Sequence, residues 1–194
     1  MNASPKGKLI VISGPSGVGK SSIVDAVLDR TESVFSVSAT TRAPRRGEIE
    51  GVDYHFVSRE IFESKRTTGE VLEWAEYGGN LYGTLREAVV PILESGDNVI
   101  LDIENEGAKQ IRASYPDAVL VFISPPDLET LANRLKGRGD TGVSDMEIRL
   151  AAATEQMEEA PSVYDQIVEN DDLEQAIAQV LDILALEGDH RPIQ

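Results

Sequence analysis

The sequence predicts an α/β fold, a parallel β-sheet flanked by helices, and three observations carry that prediction. Short runs of β-branched and other apolar residues recur along the chain, as in strands buried on both faces. A helical spacing of apolar residues follows these runs. Between the first run and the first helix stands a glycine-rich turn.

Lys8-Leu-Ile-Val-Ile-Ser13 is the first predicted strand, and Gly14 to Gly19 is the turn. Lys20 to Arg30 then places Ile23, Val24, Val27 and Leu28 on one side of a helix. Between Ser36 and about Tyr82 the pattern changes. Tyr54-His-Phe-Val57, Val71-Leu-Glu-Trp-Ala75 and Leu81-Tyr82 read as half-exposed strands separated by glycine-rich turns, which predicts a small α+β insertion. Asn98–Ile103 and Ala118–Ser124 return to buried strands, with helices from near Asn105 and near Pro126. Gly137-Arg-Gly-Asp-Thr-Gly-Val143 lies between two helices and predicts a mobile flap. Ile167-Val168 is a last short strand, followed by a helix from Asp172 to about Glu187 and a frayed tail after Gly188. The predicted organisation is a core of residues 1–35 and 96–194 with a lid at about 137–144. Residues 36–95 form the insertion, with its connecting helix.

The chain's 194 residues suit one domain with small insertions. Acidic residues exceed basic ones by 34 to 18, a net charge of −16. Such a chain does not coat nucleic acid or an anionic membrane by bulk electrostatics, so no nucleic-acid or membrane partner is expected. An anionic ligand must be held by a local cluster of Lys and Arg. Cysteine is absent, which excludes disulfides and thiolate metal sites, and two histidines argue against a zinc enzyme. No apolar run has signal-peptide or membrane-span character, so the expected location is cytoplasmic.

Gly14-Pro15-Ser16-Gly17-Val18-Gly19-Lys20-Ser21, with Ser22 beside it, fits the phosphate-binding P-loop pattern. Glycines let consecutive backbone N–H groups turn inward around phosphate oxygens, and the following helix adds its positive dipole end. Lys20 would reach the β- and γ-phosphates, and Ser21 would ligate Mg²⁺. The pattern alone does not separate kinase, GTPase and ATPase.

Three arginines, Arg42, Arg45 and Arg46, fall within five residues of an otherwise acidic chain. Arginine is suited to bidentate phosphate contacts. Tyr54 and Tyr82 could each offer a hydroxyl to the same phosphate, or simply pack in a sheet.

The runs Ser36-Val-Ser-Ala-Thr-Thr-Arg-Ala-Pro-Arg45, Gly51-Val-Asp-Tyr-His-Phe56, Leu72-Glu-Trp74 and Asn80-Leu-Tyr-Gly-Thr84 resemble the guanylate kinase family. Leu101-Asp-Ile103, Arg134-Leu-Lys-Gly-Arg-Gly139 and Asn170-Asp-Asp-Leu173 continue the likeness, which covers about Lys8 to Leu186. The resemblance implies a P-loop kinase core with a small NMP-binding insertion and a lid. It implies that Arg42, Arg45, Tyr54 and Tyr82 grip the phosphate of GMP, and that Ser38, Glu73 and Thr84 read guanine. By the same resemblance Lys20, Arg134, Arg138 and Arg149 act on the ATP phosphates. The resemblance also implies that Asp102 lies near Mg²⁺, reached through water, and near the acceptor. Glu104 takes the place of a second acid of the family's acceptor site.

The chemistry agrees with that transfer. Guanine presents N1–H and N2–H₂ side by side, and a carboxylate at Glu73 can accept both. Adenine would leave that carboxylate unpaired, and such sites discriminate by roughly 10⁴–10⁵. The family's usual Asp-x-Asp-Trp/Met-Gln-Gly reads here Asp102-Ile103-Glu104-Asn105-Glu106-Gly107, and a usual serine is Thr84. The expected reaction is Mg-dependent transfer of the ATP γ-phosphoryl group to GMP, giving ADP and GDP, by a monomer or homodimer. The GMP phosphate is already an anion, so no general base is required and alignment with charge neutralisation carries catalysis. Two other readings remain open. One is a non-catalytic module that binds a phosphorylated peptide through the same arginines. The other is a P-loop kinase for a different small acceptor.

Overall fold

The computed structural model describes residues 7–136 and 143–186. They form two compact units, one from residues up to Ile10 with Ser33–Ala118, the other from Val11–Glu32 with the chain from Val119 onward. Strand β1 (Leu9–Ser13) starts in the first unit and ends in the second.

The first unit continues with β2 (Val34–Phe35), β3 (Ala39–Thr40), β4 (His55–Phe56), α2 (Arg59–Thr67), β5 (Val71–Tyr77), β6 (Asn80–Leu85), α3 (Arg86–Ser95), β7 (Val99–Asp102) and α4 (Asn105–Ser114). Four of these strands make a sheet in the order β4-β3-β6-β5. β5 and β6 form an antiparallel hairpin around Gly78 and Gly79, whose φ angles of 56° and 76° suit the tight turn that joins right-twisted strands. Its register sets Glu73 opposite Thr84 and Trp74 opposite Gly83. Under this sheet Phe62 of α2 packs with Ala39, Leu81 and Leu85, all buried. Helix α4 docks on β5 through Gln110, which accepts from the Trp74 N–H at 3.1 Å and donates to the Trp74 carbonyl at 2.7 Å.

The second unit holds α1 (Lys20–Arg30), β8 (Val119–Ser124), α5 (Leu128–Lys136), α6 (Val143–Val163), β9 (Gln166–Glu169) and α7 (Leu173–Leu186). β8 and β9 pair in parallel here, as β2 and β7 do in the first unit. β1 is buried throughout and β8 nearly so, as two-sided strands under helices must be. Among the described residues no helix is long and apolar enough to cross a membrane.

The predicted strands and helices of the core fall within a residue or two of those observed. β2, at the end of the first core segment, has two residues, too few for any periodicity to show. The insertion differs in detail, and its first strand, β3, is equally short. Helix α2 escaped the pattern because it carries one fully buried residue, Phe62, among charged neighbours. β4 shrinks to His55–Phe56, whereas β5 and β6 extend beyond the predicted Val71–Ala75 and Leu81–Tyr82.

Candidate active site

In the second unit the chain leaves β1 and turns through Gly14–Gly19 into α1. Gly14 has φ +143°, and a Cβ there would collide with the Ile123 carbonyl oxygen of β8. Gly17 and Gly19 also take positive φ, at 86° and 103°. Val18 is fully buried and anchors the loop. Its carbonyl accepts from Asn170 Nδ2 at 2.7 Å and from Arg134 Nη1 at 3.3 Å. Gly19 is the N-cap of α1 and supplies no side-chain cap, so the helix start relies on other partners for its first N–H groups. Lys20 Nζ donates to the Gly14 carbonyl at 2.6 Å and thereby spans the loop it follows. Ser16, Ser21 and Ser22 are exposed, and Pro15 is buried. Arg149 is half-buried on α6. Arg138 and most of the predicted flap at 137–144 lie outside the described residues, and α6 begins at Val143.

In the first unit two clusters form. The first surrounds Arg42. Its guanidinium lies 5.4 Å from the centroid of the Tyr54 ring and 6.0 Å from that of Phe56. Tyr54 meets Tyr82 edge-on at 5.9 Å. Burial, then the Tyr82 neighbour, pushes the Tyr54 hydroxyl above its usual range, so it remains a neutral donor. Asp102, half-buried at the end of β7, also acts on Tyr54 through its charge. Glu48, which no sequence motif singles out, grips Arg42 through two hydrogen bonds of 2.9 and 2.8 Å. Its signal in the sequence is an acid closing the turn after Arg45-Arg46-Gly47. Arg45 joins this cluster by its backbone, whose N–H donates to Glu48 at 2.6 Å, while its side chain is exposed.

The second cluster centres on Glu73, which is 3% exposed. Its Oε1 accepts from the Thr84 hydroxyl at 2.7 Å. Its Oε2 lies against Gly107, where a Cβ would overlap it. Burial pushes the carboxyl up to about 7, against the opposing pull of the Thr84 hydrogen bonds. Among the described residues no cation contributes to that balance. Ser38 is half-buried just before β3, and its hydroxyl takes no part in the Glu73–Thr84 bond. Glu104 is exposed and stands at the N-cap position of α4 without a side-chain cap hydrogen bond, while Asn105 is buried. The unusual Glu106 pairs with Lys109 at 2.8 Å on the surface of α4, so its charge has a local partner.

The protein-family model described as Guanylate kinase matches residues 6–187. The guanylate kinase of Enterococcus faecalis is 47% identical over 186 residues, covering 95% of this chain and 91% of that protein. That of Rubrobacter xylanophilus is 49% identical over 180 residues, covering 92% of this chain and 94% of that protein. The crystal structure of guanylate kinase from Anaplasma phagocytophilum superposes with a TM-score of 0.76 at 33% identity. That match covers 95% of this chain and 87% of that one.

Proposed function

The chain belongs to the guanylate kinase family, and from that premise we propose how its residues divide the work of an ATP:GMP phosphotransferase. The reaction moves the γ-phosphoryl group of ATP to GMP and yields ADP and GDP. The alternative of a non-catalytic phosphopeptide module is not favoured by relatives that carry the enzyme's name along nearly the whole chain.

Residues 36–95 bind the acceptor in this reading, and residues 1–35 with 96–194 bind the donor, with a lid at about 137–144. Arg42, Arg45, Tyr54 and Tyr82 hold the GMP phosphate. What supports this is a charged guanidinium set against two tyrosines, the donor set a phosphate dianion needs. Glu73 and Thr84 read guanine, with Ser38 and Glu104 beside them. The observation that carries the acceptor assignment is Glu73 itself. A buried carboxylate with one hydroxyl partner and, among the described residues, no cation beside it is costly to ionise. The N1–H and N2–H₂ donors of guanine would repay that cost, and adenine would not.

On the donor side, Gly14, Pro15, Ser16, Gly17, Val18 and Gly19 cradle the ATP phosphates with Ser22. Lys20 exchanges its bond to the Gly14 carbonyl for phosphate oxygens. Arg134, Arg138 and Arg149 add positive charge as the phosphoryl group moves. The hydroxyl of Ser21 and the carboxylate of Asp102, the latter through water, are hard oxygen donors of the kind Mg²⁺ takes. Among the described residues no group of three His, Asp or Glu could hold a metal unaided, so ATP phosphates must complete any such site. Bound there, Mg²⁺ would neutralise phosphate charge. The same reading puts the enzyme in the cytoplasm, as a monomer or homodimer.

The test is ADP release with Mg-ATP and GMP, AMP, CMP or UMP in turn, for the wild type, Glu73→Gln, Arg42→Ala and Lys20→Ala. The wild type should turn over GMP alone. Glu73→Gln should lose its preference for GMP over AMP by roughly a hundredfold or more. A Glu73→Gln enzyme that keeps the wild-type preference would overturn the base-reading assignment.

A further inference from the structure

We propose that Glu48 is a positioning residue of the acceptor-phosphate grip: its carboxylate clamps the terminal edge of the Arg42 guanidinium and leaves the other edge for the phosphate of GMP. The proposal rests on the phosphate-gripping role assigned to Arg42 above.

A guanidinium has five N–H donors in a rigid fork. Arg42 Nη1 donates to Glu48 Oε2 at 2.9 Å and to the Ala43 carbonyl at 2.9 Å, which uses both of its hydrogens. Nη2 donates to Glu48 Oε1 at 2.8 Å, which uses one. The Nε–H and the second Nη2–H lie on the other edge of the fork, which has the bidentate geometry that two phosphate oxygens accept. The Tyr82 hydroxyl hydrogen-bonds the same guanidinium, so a second proposed phosphate ligand stands at Arg42 and an incoming phosphate would share the guanidinium with it.

Glu48 is itself held in place. Gly47, at φ +94°, turns the chain so that the Glu48 N–H donates to the Arg45 carbonyl at 3.1 Å. The carboxylate then folds back to accept from the Arg45 N–H at 2.6 Å. The side chains of Arg42 and Glu48 are only 14% and 17% exposed. Hydrogen bonds from Arg42 and from the Arg45 backbone hold the Glu48 carboxyl down to about 2, so it stays ionised at any working pH.

An anion so near a phosphate site costs electrostatic attraction. What it supplies is a fixed orientation for a long side chain that would otherwise lose its rotamer freedom only on binding. One carboxylate also ties Arg42 to the backbone of Arg45, the second proposed gripping residue.

Glu48→Gln keeps the side chain's size and one acceptor oxygen. The test is steady-state kinetics of wild type, Glu48→Gln, Arg42→Ala and the double variant, with melting temperatures for all four. Glu48→Gln should raise KM for GMP by roughly ten- to a hundredfold, as expected for loss of a charged hydrogen bond. KM for ATP should stay within about twofold. In the Arg42→Ala background, Glu48→Gln should change KM for GMP by less than about twofold, because its partner is gone.

A fall in KM for GMP in Glu48→Gln would show a carboxylate that competes with the phosphate, and would overturn the proposal. So would an unchanged KM while Arg42→Ala raises it, or an equal cost with and without Arg42. An Arg42→Ala enzyme with a wild-type KM for GMP would overturn the role of Arg42 and this proposal with it. A merely structural Glu48 would lower the melting temperature without separating KM for GMP from KM for ATP.

Discussion

Glu73 and Thr84 face each other across the β5–β6 hairpin, and the Thr84 hydroxyl donates to Glu73 Oε1 at 2.7 Å within the buried interior of the first unit. The hairpin register thus builds the pair, and burial sets its energetics. The Glu73 carboxyl is pushed from the ordinary 4.5 up to about 7. A carboxyl whose folded value is raised holds its proton better in the folded state. Its contribution to stability is therefore complete below pH 4.5 and is lost as pH rises through 7. A gap of about 2.5 pH units corresponds to roughly 3 kcal/mol. Glu73→Gln, which cannot ionise, should melt close to the wild type at pH 5. It should melt several degrees higher at pH 8 in the absence of nucleotide. Denaturation at the two pH values checks this, and a difference of the opposite sign would contradict the burial account.

The same group predicts how GMP use depends on pH. Accepting N1–H and N2–H₂ together requires the ionised carboxylate, so KM for GMP should fall as pH rises from 6 to 8. The second ionisation of the GMP phosphate, near 6, acts in the same direction. The two are separated by variant: Glu73→Gln should retain only the phosphate's part, with a flatter profile above pH 7. Parallel profiles for the two enzymes would remove Glu73 from the explanation.

Gly107 carries a third prediction. In the first turn of a helix, Gly→Ala ordinarily costs nothing and gains up to about 1 kcal/mol. Here a Cβ would overlap Glu73 Oε2 and would stand 3.0 Å from its Cδ and 3.2 Å from Ile103 Cδ1. Gly107→Ala should lose that gain, and it should displace Glu73. KM for GMP should rise by roughly tenfold or more while KM for ATP stays within about twofold. Equal changes for both substrates would point to general disruption of the unit.

Much of this was legible in the sequence, for reasons that vary by residue. β1, β7 and β8 are buried on both faces and announce themselves as apolar runs. Gly14, Gly17 and Gly19 are glycines because the loop needs positive φ, and at Gly14 also a close approach to β8. Glu73 stands out in the sequence through the family resemblance of Leu72-Glu-Trp74, but its burial does not, because that depends on α4 and Gly107, more than thirty residues away. Glu48 does not stand out in the sequence because an acid in a polar loop is usually solvated, and only the folded turn through Gly47 brings it to Arg42. Asn170 shows in the sequence only as part of a family likeness, and nothing there indicates that its amide reaches Val18, 152 positions earlier in the chain.

That amide carries the last prediction. The Val18 carbonyl sits in the middle of the phosphate loop and is held by Asn170 Nδ2 at 2.7 Å and more loosely by Arg134 at 3.3 Å. Asn170 is itself buried, and its backbone N–H donates to the Ser124 carbonyl at 2.8 Å at the end of β8. The loop is therefore tied to the sheet through one side chain. Asn170→Ala keeps the backbone bond and removes the tie, leaving a buried carbonyl with its weaker partner. The cost in stability should be about 1–3 kcal/mol. Because the N–H groups of the same loop are assigned to the ATP phosphates, KM for ATP should rise by roughly tenfold, with KM for GMP within about twofold. Gly19→Ala should do similar damage from the other side, since its Cβ would stand 2.6 Å from that Nδ2 on a backbone of φ +103°. If Asn170→Ala lowers stability but leaves KM for ATP unchanged, the amide holds up the fold and Arg134 alone suffices to shape the cradle.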